Sequence, residues 1–185
     1  VEKEKVDFID IVPRQVVGSA ASLIPYVAHD EANRALMGTH MQCQAVPLVN
    51  PEAPVVGTNM EKVIAQVMNR VVLSPFDGIV TYADANKVKI EGKTGVEETF
   101  FLDSFKRTSQ ATCYTQKTMV VVGERVKKGD LLIDGPATDH GELALGQNLL
   151  IAYASLDGLG YEDAIVISDR LVKEDVLSSI HIEKH

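Results

Sequence analysis

The chain has 185 residues, 26 acidic against 18 basic, for a formal charge of −8, and is 45% apolar and 5% aromatic. The apolar share excludes a disordered polymer, and no apolar run reaches the ~18 residues that span a bilayer as a helix. Cys43 and Cys113 make neither a disulfide framework nor a CxxC pair, and the charged start Val1-Glu2-Lys3-Glu4-Lys5 lacks the apolar core of a signal peptide, so a reducing cytoplasm is the expected compartment.

In chain order, residues 12–27 read as an extended lead-in and a short apolar helix that Pro25 ends or kinks. A second helix is predicted from Asp30, whose carboxylate can cap the first turn. It runs through Arg34 and Met37, with a break or bend at Gly38 and further turns towards Pro47. Pro51 and Pro54 mark an extended link, and residues 59–66 a short helical turn. From Val71 the pattern becomes strands: 78–83, a turn at Asp84-Ala85-Asn86, then Lys87-Val88-Lys89-Ile90, whose alternation suits a half-buried strand. Residues 100–102 and 119–122 are further strands, and 123–132 a tight hairpin. In the last third, 148–154 reads as an apolar strand and Gly158 and Gly160 as a loop ending in Glu162-Asp163. Residues 164–167 read as a buried segment, Ser168 as the cap of a helix over 169–176, and 180–182 as a final strand.

Charge is uneven. Lys106, Arg107, Lys117, Arg125, Lys127 and Lys128 leave residues 101–130 at net +3, whereas residues 131–185 stand at −7. So acidic a chain grips a phosphate backbone poorly by itself, because counterion release needs a basic surface. It is therefore either not a nucleic-acid binder or one wall of a larger site. The pairing of Ser74-Pro75-Phe76-Asp77-Gly78 with Val126-Lys127-Lys128-Gly129-Asp130-Leu131 resembles that of biotin- and lipoate-carrying modules. Residues 133–137 nevertheless hold no lysine to modify, which favours a sandwich-like β-element without a prosthetic group. Glu162-Asp163 is either a solvated loop end or helix cap, or a pair of hard oxygen ligands for Mg²⁺. Arg34 is a surface cation or a phosphate contact. His29, His40, His140, His181 and His185 show no metal spacing, and His40 beside Cys43 reads as packing or surface.

Three stretches together are more specific: residues 21–38, with Asn33-Arg34-Ala35-Leu36-Met37-Gly38; residues 141–148, Gly-Glu-Leu-Ala-Leu-Gly-Gln-Asn; and residues 160–168 running on to 179–182. The chain closely resembles the β subunit of bacterial-type multisubunit DNA-directed RNA polymerase, over nearly its whole length. The resemblance implies an internal piece of a longer subunit, from the hybrid-binding region up to the flap. Its expected fold is α+β, mainly β: a helical or irregular segment over 1–70, a sandwich-like β-element over 71–135, and the first half of a double-psi β-barrel over 136–185.

The resemblance also implies roles. Arg34 matches a residue contacting the triphosphate of the incoming nucleotide, Met37 one near the template and entering base, and Gln44 one reaching the RNA backbone. Glu162 and Asp163 match catalytic acids near the second Mg²⁺, while the resident Mg²⁺ is held by the β′ subunit. The implied partners are β′, the α subunits, σ factor, template DNA, nascent RNA and nucleoside triphosphates, with no membrane, in a bacterial cytoplasm or a plastid stroma. The chain departs from the family at Cys43, commonly Arg, and at His40, usually Asn; a cation beside the RNA path is lost. The competing readings are a biotinyl- or lipoyl-type carrier on 71–135 and a structural scaffold that touches no substrate.

Overall fold

The computed structural model describes residues 2–9, 11–93 and 95–184; Val1, Asp10, Thr94 and His185 lie outside the described residues. Short helices come first: α1 (Ser19–Ser22), α2 (Ala32–Cys43) and α3 (Met60–Val67). Among the described residues eleven strands follow: β1 (Val72–Leu73), β2 (Gly78–Ala83), β3 (Lys87–Gly92), β4 (Glu97–Phe101), β5 (Lys106–Arg107), β6 (Cys113–Tyr114), β7 (Lys117–Thr118), β8 (Arg125–Val126), β9 (Leu131–Asp134), β10 (Thr138–Asp139) and β11 (Glu142–Leu143). A last helix, α4, spans Asp169–Lys173. The fold is α+β, mainly β, and no helix among the described residues is long and apolar enough to cross a membrane.

Alternation decides the central layer. In β3, Val88 and Ile90 are fully buried, while Lys89 turns outward to pair with Glu97 at 2.9 Å. The antiparallel sheet β4-β3-β2-β8 faces the smaller antiparallel sheet β1-β9-β7 across a core of Val80, Val88, Ile90, Leu102, Val120, Val126, Leu132 and Ile133. Leu132 and Ile133 are adjacent, so they point to opposite faces, and both are fully buried, so both faces of β9 are covered.

Turn chemistry sets the register. Asp84 accepts the Asn86 and Lys87 amides at 2.7 Å and the Tyr82 hydroxyl at 2.8 Å, closing the β2–β3 turn. The Tyr82 hydroxyl first, then those amides, hold the Asp84 carboxyl below the ordinary carboxylate value. Asp130 accepts the Lys127 amide at 2.8 Å, and Gly129, at φ +94°, donates to Ser74 O. Lys128 N–H reaches Asp77 Oδ1 at 2.9 Å, so the two turns paired in the sequence are hydrogen-bonded to each other. A Cβ at Gly78 would sit 2.5 Å from Glu91 O, which requires glycine there.

Several expectations are corrected. α2 runs unbroken through Gly38, half-buried against Ile24 of the α1 region; one interior glycine costs about 1 kcal/mol, too little to break a twelve-residue helix. Asp30 does not cap α2: its carboxylate accepts only the next amide, Glu31 N–H, at 2.8 Å. The strand placed at 119–122 lies earlier, at β7, while Val121 and Val122 are exposed. Residues 148–154 and 164–167 form no strand, and 164–167 are exposed rather than buried. An extended segment becomes a strand only beside a partner, and among the described residues no backbone pairs with them. Ser168 does cap α4, accepting the Arg170 amide, although α4 ends at Lys173 rather than 176. Residues 180–182 make one bridge, Thr112–His181, instead of a strand.

Candidate functional site

Helix periodicity places Arg34, Met37, Met41 and Gln44 on one stripe of α2 and its cap, spaced i, i+3, i+7 and i+10. All four are exposed. The opposite stripe, Ala35, Gly38, Thr39 and Gln42, is half-buried. The Arg34 guanidinium lies 3.5 Å from Met37 Sδ, one turn on, and makes no ion pair among the described residues. At the C-terminal end, Gln44 Nε2 is 2.9 Å from His40 Nε2, and the Cys43 thiol donates to His40 O at 2.9 Å. The departures His40 and Cys43 therefore bond to the helix and to each other's surroundings, where a longer cation would extend outward.

Beyond α2, residues 46–55 form an irregular strut, bent at Val49–Asn50 and again at Val55. This strut receives two distant parts of the chain. Glu52 N–H donates to Gly146 O at 2.9 Å, and Leu48 bridges Ser179. Asp139 of β10 accepts Ala53 N–H at 3.0 Å while its other oxygen meets His140 Nδ1 at 2.5 Å. The Ala53 amide first, with His140 adding to it, holds the Asp139 carboxyl below its ordinary range. A pocket of about 210 Å³ opens beside the strut, lined by Gln42, Glu52, Glu61 and Asn148 among others. The Gln42 Oε1 atom is buried and has no hydrogen-bond partner among the described residues.

Glu162 and Asp163 sit on an excursion between the two strut contacts. Residues 150–170 are all exposed. The turn Tyr161–Asp163 holds Glu162 at φ +55° and Asp163 at φ +63°, conformations that cost non-glycine residues about 1 kcal/mol each. The chain therefore turns at the two acids, which removes the opposite-face geometry of neighbours in a strand. Neither carboxylate has a hydrogen bond or ion pair among the described residues, and none links this turn to α2. Two free, hard oxygen donors fit part of the shell of Mg²⁺, which keeps several waters. Among the described residues no group of three or more His, Cys, Asp and Glu could hold a metal ion.

The structure thus gathers Arg34, Met37 and Gln44 on one helix and puts Glu162 and Asp163 on a separate arm. Sequence reasoning missed Glu52, Asn148 and Asp139, which tether the arm and β10 to the strut. The only signal was the Pro51–Pro54 spacing, which demands extended backbone but names no partner. The carrier reading finds no support, because residues 133–138 are buried and carry no lysine.

Residues 73–185 match the family described as RNA polymerase Rpb2, domain 6. The chain is 50% identical over 182 residues, 98% of its length, to the DNA-directed RNA polymerase subunit beta of Thermosynechococcus vestitus, covering 16% of that protein. It is 50% identical over its full length to the subunit beta of Caldicellulosiruptor saccharolyticus, covering 15% of it. To that of Streptococcus pneumoniae it is 47% identical over 180 residues, again 15% of the relative. The chain thus spans about one-sixth of the length of these curated relatives. It belongs to the family of bacterial DNA-directed RNA polymerase β subunits, whose Rpb2 domain 6 is carried by residues 73–185.

Proposed function

We propose that this chain is a wall of the nucleotide-addition site of a DNA-directed RNA polymerase, supplying phosphate, RNA and second-metal contacts to template-directed RNA synthesis. The observation that carries this reading is the Arg34 guanidinium, exposed on α2 and free of any carboxylate partner among the described residues. A fixed charge with five donors matches the oxygens of a triphosphate. Met37, one turn along, offers a flexible apolar contact for a base, and Gln44 offers amide donors to a transcript phosphate.

In the reaction, the transcript 3′-hydroxyl passes its proton to water as its oxygen bonds to the α-phosphorus of the nucleotide. The bond from that phosphorus to the bridging oxygen breaks, and pyrophosphate leaves. Arg34 orients the triphosphate so that the leaving oxygen stands opposite the attacking one. Glu162 and Asp163 hold negative charge at the corner reached by the second Mg²⁺. That ion, when bound, neutralises charge building on the leaving phosphates. The first Mg²⁺ belongs to β′, and the α subunits, σ factor, template DNA and nascent RNA complete the assembly in a bacterial cytoplasm. In this reading residues 1–70 form the hybrid-binding segment, 71–135 the β-element, and 136–185 a half-barrel whose strands pair only within the longer subunit. The acidic last third is then turned towards protein and metal, not towards the nucleic-acid backbone.

Arg34→Ala in the assembled polymerase is expected to raise the nucleotide KM or slow each addition about 10-fold, the equivalent of a charge-assisted hydrogen bond. Arg34→Lys keeps the charge without the fork and falls between. Unchanged single-nucleotide kinetics in Arg34→Ala would leave the chain a scaffold.

A further inference from the structure

We propose that Asn148, acting with Glu52, is a positioning clamp that sets where the Glu162–Asp163 turn stands relative to Arg34; this rests on the reading above. Asn148 bonds the strut as a neighbouring strand would. Its Oδ1 accepts Val55 N–H at 3.3 Å and its Nδ2 donates to Ala53 O at 2.8 Å. Its own backbone N–H donates to Glu52 Oε2 at 3.1 Å. Pro51 and Pro54 have no amide hydrogen, so an ordinary ladder cannot form along this strut. A side chain carrying both a donor and an acceptor replaces the missing ladder. Gln147 Nε2 donates to Asn50 O and Gly146 O accepts Glu52 N–H, so three consecutive residues grip the strut at one place.

Past Asn148 the backbone bonds are local until the chain returns, where Val49 N–H donates to Ser178 O at 2.9 Å. Both roots of the arm therefore stand on the same short strut, at Val49 and at Glu52–Val55. That strut continues directly from α2 through residues 44–47. Between these roots no hydrogen bond among the described residues joins residues 149–177 to the rest of the fold, so the root geometry carries the two acids. Asparagine is specific here: aspartate keeps the acceptor, loses the donor to Ala53 O and sets a carboxylate beside Glu52, while alanine loses both bonds.

The test uses polymerase assembled around the full-length subunit carrying Asn148→Ala. Two quantities are measured: the Mg²⁺ dependence of single-nucleotide addition, and amide hydrogen exchange. The Mg²⁺ needed for half-maximal rate is expected to rise about 5- to 10-fold, as two lost hydrogen bonds would give. The rate should recover at high Mg²⁺. Exchange should quicken at Val55 and across residues 149–177 and stay unchanged in β2 and β3. A fold-supporting residue alone would not be rescued by the ion. Should Asn148→Ala prevent assembly, Glu52→Ala is expected to give a smaller shift of the same kind, restored by Glu52→Gln. Quickened exchange with an unmoved Mg²⁺ requirement overturns the clamp, while the functional reading stands if Glu162→Gln still shifts that requirement. If Glu162→Gln shifts nothing either, the second-metal part of the functional reading fails and the clamp falls with it.

Discussion

At single residues, the sharpest constraints are close approaches of backbone. A Cβ at Gly135 would lie 2.2 Å from Arg70 O, with no flexible side chain to yield. Gly135 N–H also donates to Thr138 Oγ1 at 2.8 Å, in a buried set where the same hydroxyl donates to Asp134. Gly135→Ala is expected to destabilise the chain by about 3 kcal/mol or more, since two backbone segments must part. Denaturant unfolding beside Gly146→Ala, where a Cβ meets nothing within 4 Å, checks it. The contrast shows what the sequence makes legible. Gly129 and Asp130 announce their turn locally, because the left-handed residue and its carboxylate are neighbours. Nothing near Gly135 names Arg70, whose carbonyl arrives through the packing of β9.

Among elements, periodicity tells faces and not partners. Lys87-Val88-Lys89-Ile90 displays its buried side in plain sequence, and β2 matches its predicted span. Residues 148–154 and 164–167 are as apolar as β9, yet β9 lies between β1 and β7, whereas among the described residues no strand pairs with them. The prolines marked a link at the strut, but its partners were invisible for the same reason, since they come from Asp139, Gly146 and Ser179. Its link to β10 carries a pH signature. The Asp139 carboxyl is held below the ordinary value of roughly 3.9 by the Ala53 amide and then His140. A depressed carboxylate contributes stability that is complete above that ordinary value and is lost as pH falls through the lowered one. Asp139→Asn should therefore be less stable than the parent at neutral pH and lose less stability than the parent below about pH 4. Urea midpoints from pH 7 to pH 2.5 measure both, and parallel curves would assign the link no role.

For the whole molecule, burial is lopsided. The core lies between the two central sheets, while the arm leaves Leu150, Tyr153 and Ile165 at 104%, 97% and 86% exposure. Such a stretch of apolar side chains marks a surface made to be covered. The separate 185-residue chain is expected to bind a hydrophobic dye and to be cut by protease first within residues 150–170, whereas the assembled polymerase does neither. Equal cleavage in the two would show the arm uncovered in both. The polymerase ancestry of the chain was readable from residues 21–38, 141–148 and 160–168. The separation of its acids from Arg34 onto an arm was not, because that depends on tethers made across the fold.

Glu52 and Gly146 also impose an order in time. The strut leaves the ribosome roughly 5–20 s before the residues that grip it, at about 5–20 residues per second. Until residues 146–148 emerge, Glu52 N–H and Ala53 O have only water for company, and a nascent chain stalled there has an unlatched hinge between α2 and everything still to be translated.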